Sequence, residues 1–243
     1  MNPAEYANLE RVEQAHWYYA GKRELVRRWF GRFGRPRPED TLLDCGAGTG
    51  RFAEEMAAAC RVLVLDDHAE SLALLRKRFP ADRVLGLAPT GIPLPDRSVD
   101  LLTALDVLEH IEADGAALAD MHRVLRPGGL MIATVPAGME LWSEWDVSLH
   151  HHRRYSRRTL RALFAGADWE VLHLNYTNVA VYPAVWLVRR WQQAFPARAG
   201  ARAEDQVPAA WLNRLLRRVF VATGLSRIPF PRGVSLIVVA RRR

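Results

Sequence analysis

The chain has 243 residues, of which 49% are hydrophobic, so it is long enough to bury the core of one substantial domain. Its formal net charge of +7 includes 34 basic residues, all arginine except Lys22 and Lys77, which fits either a genome-wide codon bias or a polyanionic partner. Cys45 and Cys60 lie in apolar segments, which argues against a disulfide framework, and the lack of a signal peptide or a spanning-length apolar run predicts a cytoplasmic protein.

The first half of the chain predicts a helix followed by alternating strands and helices. A helical pattern runs from Glu5 to Phe33 and ends at the proline-rich segment GRPRPED. The predicted strands are TLLDC, RVLVLDD, DRVLGLA, SVDLLTAL and LMIATVP, and the predicted helices between them are RFAEEMAAAC, ESLALLRKRF and GAALADMHRVL. This alternation predicts right-handed βαβ units and a parallel sheet covered by helices on both faces.

The second half of the chain departs from this alternation. Residues 138–156 predict a loop rich in Trp, His and Arg, and RRTLRALFAGA predicts a helix. Two strands follow, WEVLHLNYTN and GVSLIVVARRR, with a long insertion between them. Within the insertion, WLNRLLRRVF predicts an amphipathic helix with one apolar face, made of Trp211, Leu212, Leu215, Leu216, Val219 and Phe220.

These elements divide the chain into four parts. We expect a helical cap at residues 1–38, an α/β core at 39–178, a helical insertion at 179–230 and a last core strand at 231–243. The fold class is therefore a doubly wound, Rossmann-like α/β sheet.

The strand–turn–helix LLDCGAGTGRF carries the most specific signal. In open parallel sheets a ligand binds beyond the carboxyl ends of the strands, where glycines allow a close approach of the backbone. Arg51 departs from the dinucleotide spacing G-x-G-x-x-G/A. Asp44 precedes the glycines, and its carboxylate suits the amino group of an amino-acid moiety. Asp66 ends the second strand, where an acid accepts the hydroxyls of a ribose.

The motifs D-x-G-x-G-x-G, VLVLD, IPLPDRSVDLLTALDVLEHI and RVLRPGGLMIATVP resemble, in order and spacing, the class I S-adenosylmethionine (SAM)-dependent methyltransferases. The resemblance covers residues 41–136. HWYYAGKRE and DVSLHHHRRYS resemble two elements of a subgroup of that family, HWWF-x-x-R-R near the N-terminus and D-x4-H-x-R-R-Y after the fifth strand. The family's fold implies a mostly parallel seven-stranded sheet with an antiparallel last strand.

The resemblance also implies a set of cofactor contacts, with S-adenosylhomocysteine as the product. Asp66 would hold the ribose, while Asp67 and His68 pack near the adenosine. Ala88 and Pro89 stand where the family usually has an acid for the adenine, so backbone groups of residues 87–90 would substitute. The other expected cofactor contacts are Tyr19, Arg23, Asp44, Gly46, Ala47, Gly48, Gly50, Leu105, Asp106, Val107 and His110.

Methyl transfer to an oxygen or an acidic carbon needs a base, which histidine supplies near neutral pH. His110 follows the fourth strand, but capping and packing explain it better. In the run SLHHHRRYS, His151 matches the subgroup's histidine, so we expect His151 to be the base, with Arg154 and Tyr155 beside it in the catalytic set. Two roles remain open for Arg154 and its neighbour: to clamp an anionic acceptor, or to brace the loop through Asp146 or Glu144.

The three consecutive histidines also raise the question of a metal. Adjacent side chains on an extended loop point in alternating directions, so at most His150 and His152 share a side, and the sequence shows no further cluster of ligands near them. We therefore expect no metal, with His150 and His152 as surface residues.

The sequence thus predicts a SAM-dependent methyltransferase that acts on a small-molecule acceptor, by O-methylation with a histidine base. The alternatives are an RNA or protein methyltransferase, a SAM-binding regulatory protein without turnover, and an NAD-dependent oxidoreductase. Nucleic acid is disfavoured because the fourth strand ends in LDVLEH and no RNA-binding module is evident. The insertion fits an acceptor pocket or lid first, a homodimer interface second, and a peripheral membrane contact through 179–222 third.

Overall fold

The computed structural model describes residues 10–165, 168–194 and 206–243, which form one sheet flanked by helices. The strands are β1 (Thr41–Cys45), β2 (Arg61–Asp66), β3 (Val84–Gly86), β4 (Val99–Leu105), β5 (Leu125–Pro136), β6 (Trp169–Thr177) and β7 (Ser235–Arg242). The helices are α1 (Trp17–Phe33), α2 (Arg51–Met56), α3 (Ala69–Arg78), α4 (Asp114–Val124), α5 (Glu144–Ser148), α6 (Arg157–Ala165), α7 (Tyr182–Ala194) and α8 (Ala210–Gly224). None of the helices in these ranges combines the length and the apolar character that crossing a membrane requires.

The sheet has seven strands in the order β3-β2-β1-β4-β5-β7-β6. Strand β7 runs antiparallel to both of its neighbours, and every other neighbouring pair is parallel. The predicted Rossmann-like sheet with an antiparallel last strand is therefore confirmed. The strand order reverses between β1 and β4, so the crevice for a ligand lies beyond the carboxyl ends of these two strands.

Alternate residues of the central strands face two separate hydrophobic cores. On β2, Val62 and Val64 pack against one core, and Leu63 and Leu65 against the other. Helices α1, α2, α3 and α8 contribute to the first core, while α4 and α6 contribute to the second. Burial on both faces explains why these strands read as continuous apolar runs.

The predicted N-terminal helix is interrupted: residues 10–12 are helical, and the next helix begins at Trp17. The predicted start at Glu5 lies outside the described residues. The chain leaves the helical conformation just before α1, where the backbone of His16 is extended. His16 caps α1, with its Nδ1 3.4 Å from the amide of Tyr18. The reason lies in the segment before it, because the buried Glu13 carboxylate accepts hydrogen bonds of 2.8 Å from the hydroxyl of Thr49 in the glycine loop. This contact directs residue Glu13 toward the glycine loop, and the chain leaves the helical conformation there.

The segment predicted as a loop at 138–156 contains local structure. Ser143 and Asp146 form a capping box that starts the short helix α5. In the insertion, α8 packs against α1 through Phe220, Val221 and Gly224. The predicted apolar face of α8 is therefore only partly correct, because its members Trp211 and Leu215 are exposed. The part of the insertion at 195–205 lies outside the described residues.

Candidate active site

The glycine loop leaves β1 with three glycines in the left-handed backbone region. The φ angles of Gly46, Gly48 and Gly50 are +66°, +57° and +79°, which residues with a Cβ adopt only at a cost. A Cβ at Gly46 would stand 2.5 Å from Cγ2 of Val107, and one at Gly50 would stand 2.7 Å from Cδ2 of Leu75. A Cβ at Gly48 would meet no atom within 4 Å. The first and third glycines thus allow tight packing, while the second borders open space beside the crevice.

The Asp66 carboxylate ties the end of β2 to this loop. It accepts hydrogen bonds from the amides of Gly48 at 2.9 Å, Asp67 at 2.9 Å and His68 at 3.0 Å. The side chain is almost fully buried. A carboxylate has about four acceptor positions, so Asp66 keeps acceptor capacity for a hydroxyl of a ligand while it holds the loop. The sequence did not predict this second role.

Asp44 is buried at the end of β1, one strand away from Asp66. The hydroxyl of Thr103 on β4 donates to its Oδ1 at 2.6 Å. Burial raises the pKa of Asp44 to about 7, the nearby negative charge of Asp66 adds to this, and the hydrogen bond from Thr103 opposes it. A cationic group placed beside Asp44 would therefore favour the ionised carboxylate.

Asp106 directly follows strand β4 and has a strained φ of +57°. The ammonium of Lys22 on α1 forms a short ion pair with Oδ2 of Asp106 and lies 4.6 Å from the centre of the Tyr18 ring. Thr134 donates to Oδ1 at 2.8 Å. Burial alone would raise the pKa of Asp106, but the charge and hydrogen bond of Lys22, with that of Thr134, outweigh it and lower the pKa. This pair joins the N-terminal cap to the crevice.

Another pair of side chains lies on the loop after β5. Nδ1 of His151 is 2.9 Å from Oδ1 of Asp146, and the Asp146 side chain is fully buried. Nε of Arg154 donates to the same oxygen at 2.7 Å, and the amide of Ser143 donates to Oδ2 at 2.9 Å. Burial acts to raise the pKa of Asp146, but His151 and Arg154 outweigh it and lower the pKa to about 2. Asp146 is therefore ionised near neutral pH and orients the His151 ring.

The His151 ring meets two residues that follow β4. Its centre lies 4.6 Å from that of His110, with the two planes at 82°. Glu109 is fully buried, and neither of its carboxylate oxygens has a hydrogen-bond partner within the described structure. Burial, with the charge of Asp106 added, raises the pKa of Glu109 well above its usual value. Burial and the nearby His151 lower the pKa of His110 to about 4, so its ring is neutral at physiological pH.

The remaining residues of the histidine run differ in exposure and partners. His150 and His152 are exposed, whereas the His151 side chain is 7% exposed. Arg153 pairs with Asp114 at 2.9 Å, and the hydroxyl of Tyr155 donates to the same carboxylate at 2.8 Å. The loop is thus braced against the start of α4. The pairing of Arg153 with Asp114 and of Arg154 with Asp146 fits a role of these arginines in holding the loop in place.

Two predicted cofactor contacts on α1 have different surroundings. Nε of the buried Arg23 donates to Glu55 at 2.8 Å, and its Nη1 donates to the carbonyl of Glu13 at 2.7 Å. Its guanidinium therefore links α1 to α2. The Tyr19 ring lies 5.3 Å from that of Tyr18, next to the Lys22–Asp106 pair.

The segment expected to face an adenine is a tight turn. The amide of Leu87 donates to the carbonyl of Asp66 at 3.1 Å, and Ala88 and Gly91 exchange two backbone hydrogen bonds of 3.1 and 2.9 Å. Pro89 has no amide hydrogen. Since an adenine amino group is a hydrogen-bond donor, the backbone carbonyls of this turn are the groups that suit it.

The structure thus brings most of the predicted residues to one edge of the sheet. Asp44, Asp66 and Asp106 lie at the carboxyl ends of three neighbouring strands. The loop with His151 docks next to the end of β4 through a hydrogen bond from the His152 amide to the Glu109 carbonyl. Their individual roles remain predictions. Sequence analysis did not single out Thr103, Thr134 or Glu109, because the importance of each comes from a partner on a distant segment.

Residues 43–133 match a family model described as a methyltransferase domain. A Mycolicibacterium smegmatis protein named "Probable S-adenosylmethionine-dependent methyltransferase" is 32% identical over 163 residues, which are 66% of this chain and 62% of that protein. The malonyl-[acyl-carrier protein] O-methyltransferase of Serratia marcescens is 34% identical over 169 residues, 65% of this chain and 66% of that protein. The chain therefore spans less than two thirds of the length of these relatives.

Among solved structures, a chain of the Haloferax volcanii complex between the Trm112 methyltransferase activator and a methyltransferase superposes with a TM-score of 0.61. The two chains are 18% identical, and the match covers 98% of this chain and 94% of the other. At this identity the similarity supports the fold. The family model and the curated relatives confirm the resemblance of the glycine loop and of the motifs that follow it: residues 43–133 form a domain of the class I SAM-dependent methyltransferases, a family of enzymes whose cofactor is S-adenosylmethionine.

Proposed function

We propose that this protein transfers a methyl group from SAM to an oxygen atom of a small-molecule acceptor. The observation that carries the proposal is the 2.9 Å contact between Nδ1 of His151 and the buried Asp146 carboxylate. Because Asp146 engages Nδ1, the other ring nitrogen, Nε2, is the atom of His151 that suits a base.

The crevice fits the cofactor by its own geometry. The open space at Gly48 leaves room for a ligand to approach the backbone, and the buried Asp44 suits the cofactor's ammonium group. Asp66 retains acceptor capacity for the ribose hydroxyls. SAM, when bound, supplies a methyl group on a sulfonium, whose C–S bond breaks with the electron pair left on sulfur.

The residues of this chain then bind, orient and handle one proton. Nε2 of His151 accepts the proton of the acceptor hydroxyl, whose oxygen forms the new C–O bond. Asp146 holds the imidazole in position and stabilises the imidazolium that results. A carboxylate acceptor would be ionised already at neutral pH and would not need a base. The Asp146–His151 pair therefore favours an acceptor whose hydroxyl must lose a proton.

The relatives widen the range of acceptors to be tested. The Serratia marcescens relative is named for O-methylation of a malonyl group on a carrier protein, so an acid attached to a carrier is a further acceptor to include. A homodimer and a membrane contact through 179–222 remain predictions. Helix α7 within this segment exposes the apolar side chains of Trp186, Leu187, Val188 and Trp191.

The test measures both binding and the destination of the methyl group. Calorimetry should show that SAM and S-adenosylhomocysteine bind with a stoichiometry of one, and that NADH binds more weakly than S-adenosylhomocysteine. Methyl-labelled SAM is then offered with a panel of hydroxylated small molecules, carrier-bound acids, total RNA and total protein. Label in the small-molecule fraction that falls strongly in His151→Ala supports the proposal. Label in RNA or protein supports the corresponding rival, and binding without transfer to any fraction indicates a SAM-binding protein without turnover.

A further inference from the structure

Three side chains from two distant loops converge beside the proposed site of methyl transfer. Glu109 and His110 follow β4, and His151 lies on the loop after β5. One ligand atom from each, a carboxylate oxygen and two imidazole nitrogens, lies within 4.8 Å of the other two. Ligand atoms around one transition-metal ion at about 2.0–2.2 Å stand roughly 3–4 Å apart. Small movements of these side chains would therefore bring all three atoms to a single ion.

The second observation is independent of this spacing and concerns Glu109 alone. Its side chain is fully buried, yet both of its carboxylate oxygens lack a hydrogen-bond partner among the described residues. Buried polar groups are normally hydrogen-bonded, so a fully buried carboxyl group without a partner is destabilising. A cation would satisfy this carboxylate.

The surroundings already have the features of a metal site. Metal-binding histidines usually donate their second ring nitrogen to a carboxylate, and Nδ1 of His151 is bonded to Asp146 in this way. Asp106 adds a further negative charge near Glu109. The nearby cations Lys22 and Arg154 already pair with Asp106 and Asp146, so neither is a partner for Glu109.

We propose that Glu109, His110 and His151 bind one divalent transition-metal cation, of the class of Zn²⁺ or Mn²⁺, beside the methyl-transfer site. Two imidazoles and one carboxylate suit this class better than Mg²⁺ or Ca²⁺, which prefer oxygen ligands. Three protein ligands leave an open position for the acceptor oxygen.

The inference deepens the proposed function and rests on it for the position of the acceptor. The cation would use Nε2 of His151, the same nitrogen that serves as the base in the protein without metal. In the loaded protein the cation would lower the pKa of the acceptor hydroxyl, and its proton would pass to water instead of the imidazole. The sequence expectation of no metal considered only the histidine run, to which Glu109 and His110 do not belong.

The experiment uses the whole chain without a histidine tag, stripped of metal with a chelator. Co²⁺ is added as the probe, and its visible d–d absorption is followed to saturation, with the stoichiometry checked by elemental analysis. We expect one Co²⁺ per chain and loss of the band when Zn²⁺ is added. The variants Glu109→Gln and His110→Ala should weaken Co²⁺ binding at least as much as the 10–100-fold typical of residues that support a metal ligand.

Matched controls come from the same loop. His150→Ala and His152→Ala remove exposed histidines next to His151 and should leave the Co²⁺ affinity within twofold of the unmodified chain. Circular dichroism checks the fold of every variant. If Glu109→Gln does not fold, His110→Ala carries the test, because the His110 side chain reaches solvent.

The inference would be overturned by the absence of a saturable Co²⁺ band, or by a band that survives unchanged in His110→Ala. Equal losses in His150→Ala and His110→Ala would also overturn it, since they would indicate adventitious binding by surface histidines. Calorimetry with S-adenosylhomocysteine on the metal-free chain separates this outcome from a failure of the proposed function. If the chain binds the cofactor but not Co²⁺, only the proposed metal site is wrong. If it binds Co²⁺ but not the cofactor, the proposed methyltransferase function is wrong.

Discussion

Nδ1 of His151 lies 2.9 Å from Oδ1 of Asp146, and both side chains are shielded from solvent. The same oxygen accepts from Nε of Arg154 at 2.7 Å. Asp146 therefore has two functions, since it orients the histidine and closes the loop on which the histidine lies. Because the Asp146 carboxylate is buried and hydrogen-bonded, it holds the His151 ring in one orientation, and little entropy is lost when the reaction occurs.

Replacing either member of this pair should slow the reaction without affecting the cofactor. We expect His151→Ala to lower kcat by about 10²–10⁴-fold, the usual contribution of a general base. Asp146→Asn should lower kcat by at least about tenfold, because it removes the charge that stabilises the imidazolium. Steady-state kinetics and calorimetry with SAM check both. Glu144→Gln on the exposed side of α5 is the control, and a kcat loss there equal to that of Asp146→Asn would point to a general role of the loop.

Asp66→Ala should weaken SAM binding severely. The change removes the proposed acceptor for the ribose, the hydrogen bond that holds the Gly48 amide in the glycine loop, and two hydrogen bonds from the amides that follow β2. We expect at least a tenfold rise in Kd, which corresponds to about 1.4 kcal/mol. Asp67→Ala, at an exposed neighbouring side chain, should change Kd far less. Calorimetry that found near-normal affinity in Asp66→Ala would contradict its assigned role.

The raised pKa of Asp44 predicts a stability that falls as the pH rises. The carboxyl titrates at about 7 in the folded chain and near 3.9 in the unfolded chain. Between these values the folded state holds more protons, so the free energy of unfolding decreases from about pH 4 to about pH 7, by at most about 4 kcal/mol. Urea unfolding across this range should show the decrease in the unmodified chain and a flatter profile in Asp44→Asn.

Binding of SAM should release a proton from Asp44 near pH 6. The carboxyl is largely protonated there in the free protein, and the cofactor's ammonium favours the ionised form. Calorimetry in buffers of different ionisation enthalpy measures the number of protons released, and we expect a value between zero and one that vanishes in Asp44→Asn. Proton uptake instead of release would show that the ammonium does not bind beside Asp44.

Alanine substitutions at two glycines of the loop should affect stability and SAM binding to different extents. Gly46→Ala combines a left-handed backbone with a Cβ 2.5 Å from Val107, so we expect a loss of about 2–4 kcal/mol in the free energy of unfolding. Gly48→Ala has the backbone cost alone, about 1–2 kcal/mol, but its Cβ projects into the open space at the crevice. Thermal unfolding and SAM affinity should therefore rank the two variants in opposite orders. The same ranking in both measurements would mean that no ligand approaches Gly48.

Much of the fold follows from the sequence because local patterns determine it. The alternation of apolar strands such as RVLVLDD with helices such as ESLALLRKRF requires a parallel sheet covered on both faces, and the observed sheet has that form. The glycine spacing also identified the turn after β1 as a specialised loop, and the structure adds that all three glycines have a left-handed backbone. Tertiary contacts overrode local pattern at Glu13, whose bond to Thr49 accompanies the interruption of the predicted N-terminal helix, and at α8, where the helix α1 covers only part of the apolar face.

The sequence by itself determined that an acid stands at the carboxyl end of three strands and that a histidine-rich loop follows the fifth strand. These statements depend on order along the chain, and parallel strands carry that order to one edge of the sheet. The sequence also singled out His151 and expected His150 and His152 on the surface, where they lie. Only the tertiary structure decided which acid orients His151 and which side chains lie next to its ring. Glu109 and His110 reach His151 because the His152 amide bonds to the Glu109 carbonyl and because Asp114 binds Tyr155. Contacts between two irregular segments leave no periodic pattern in the sequence, so their meeting becomes visible only when the chain is folded.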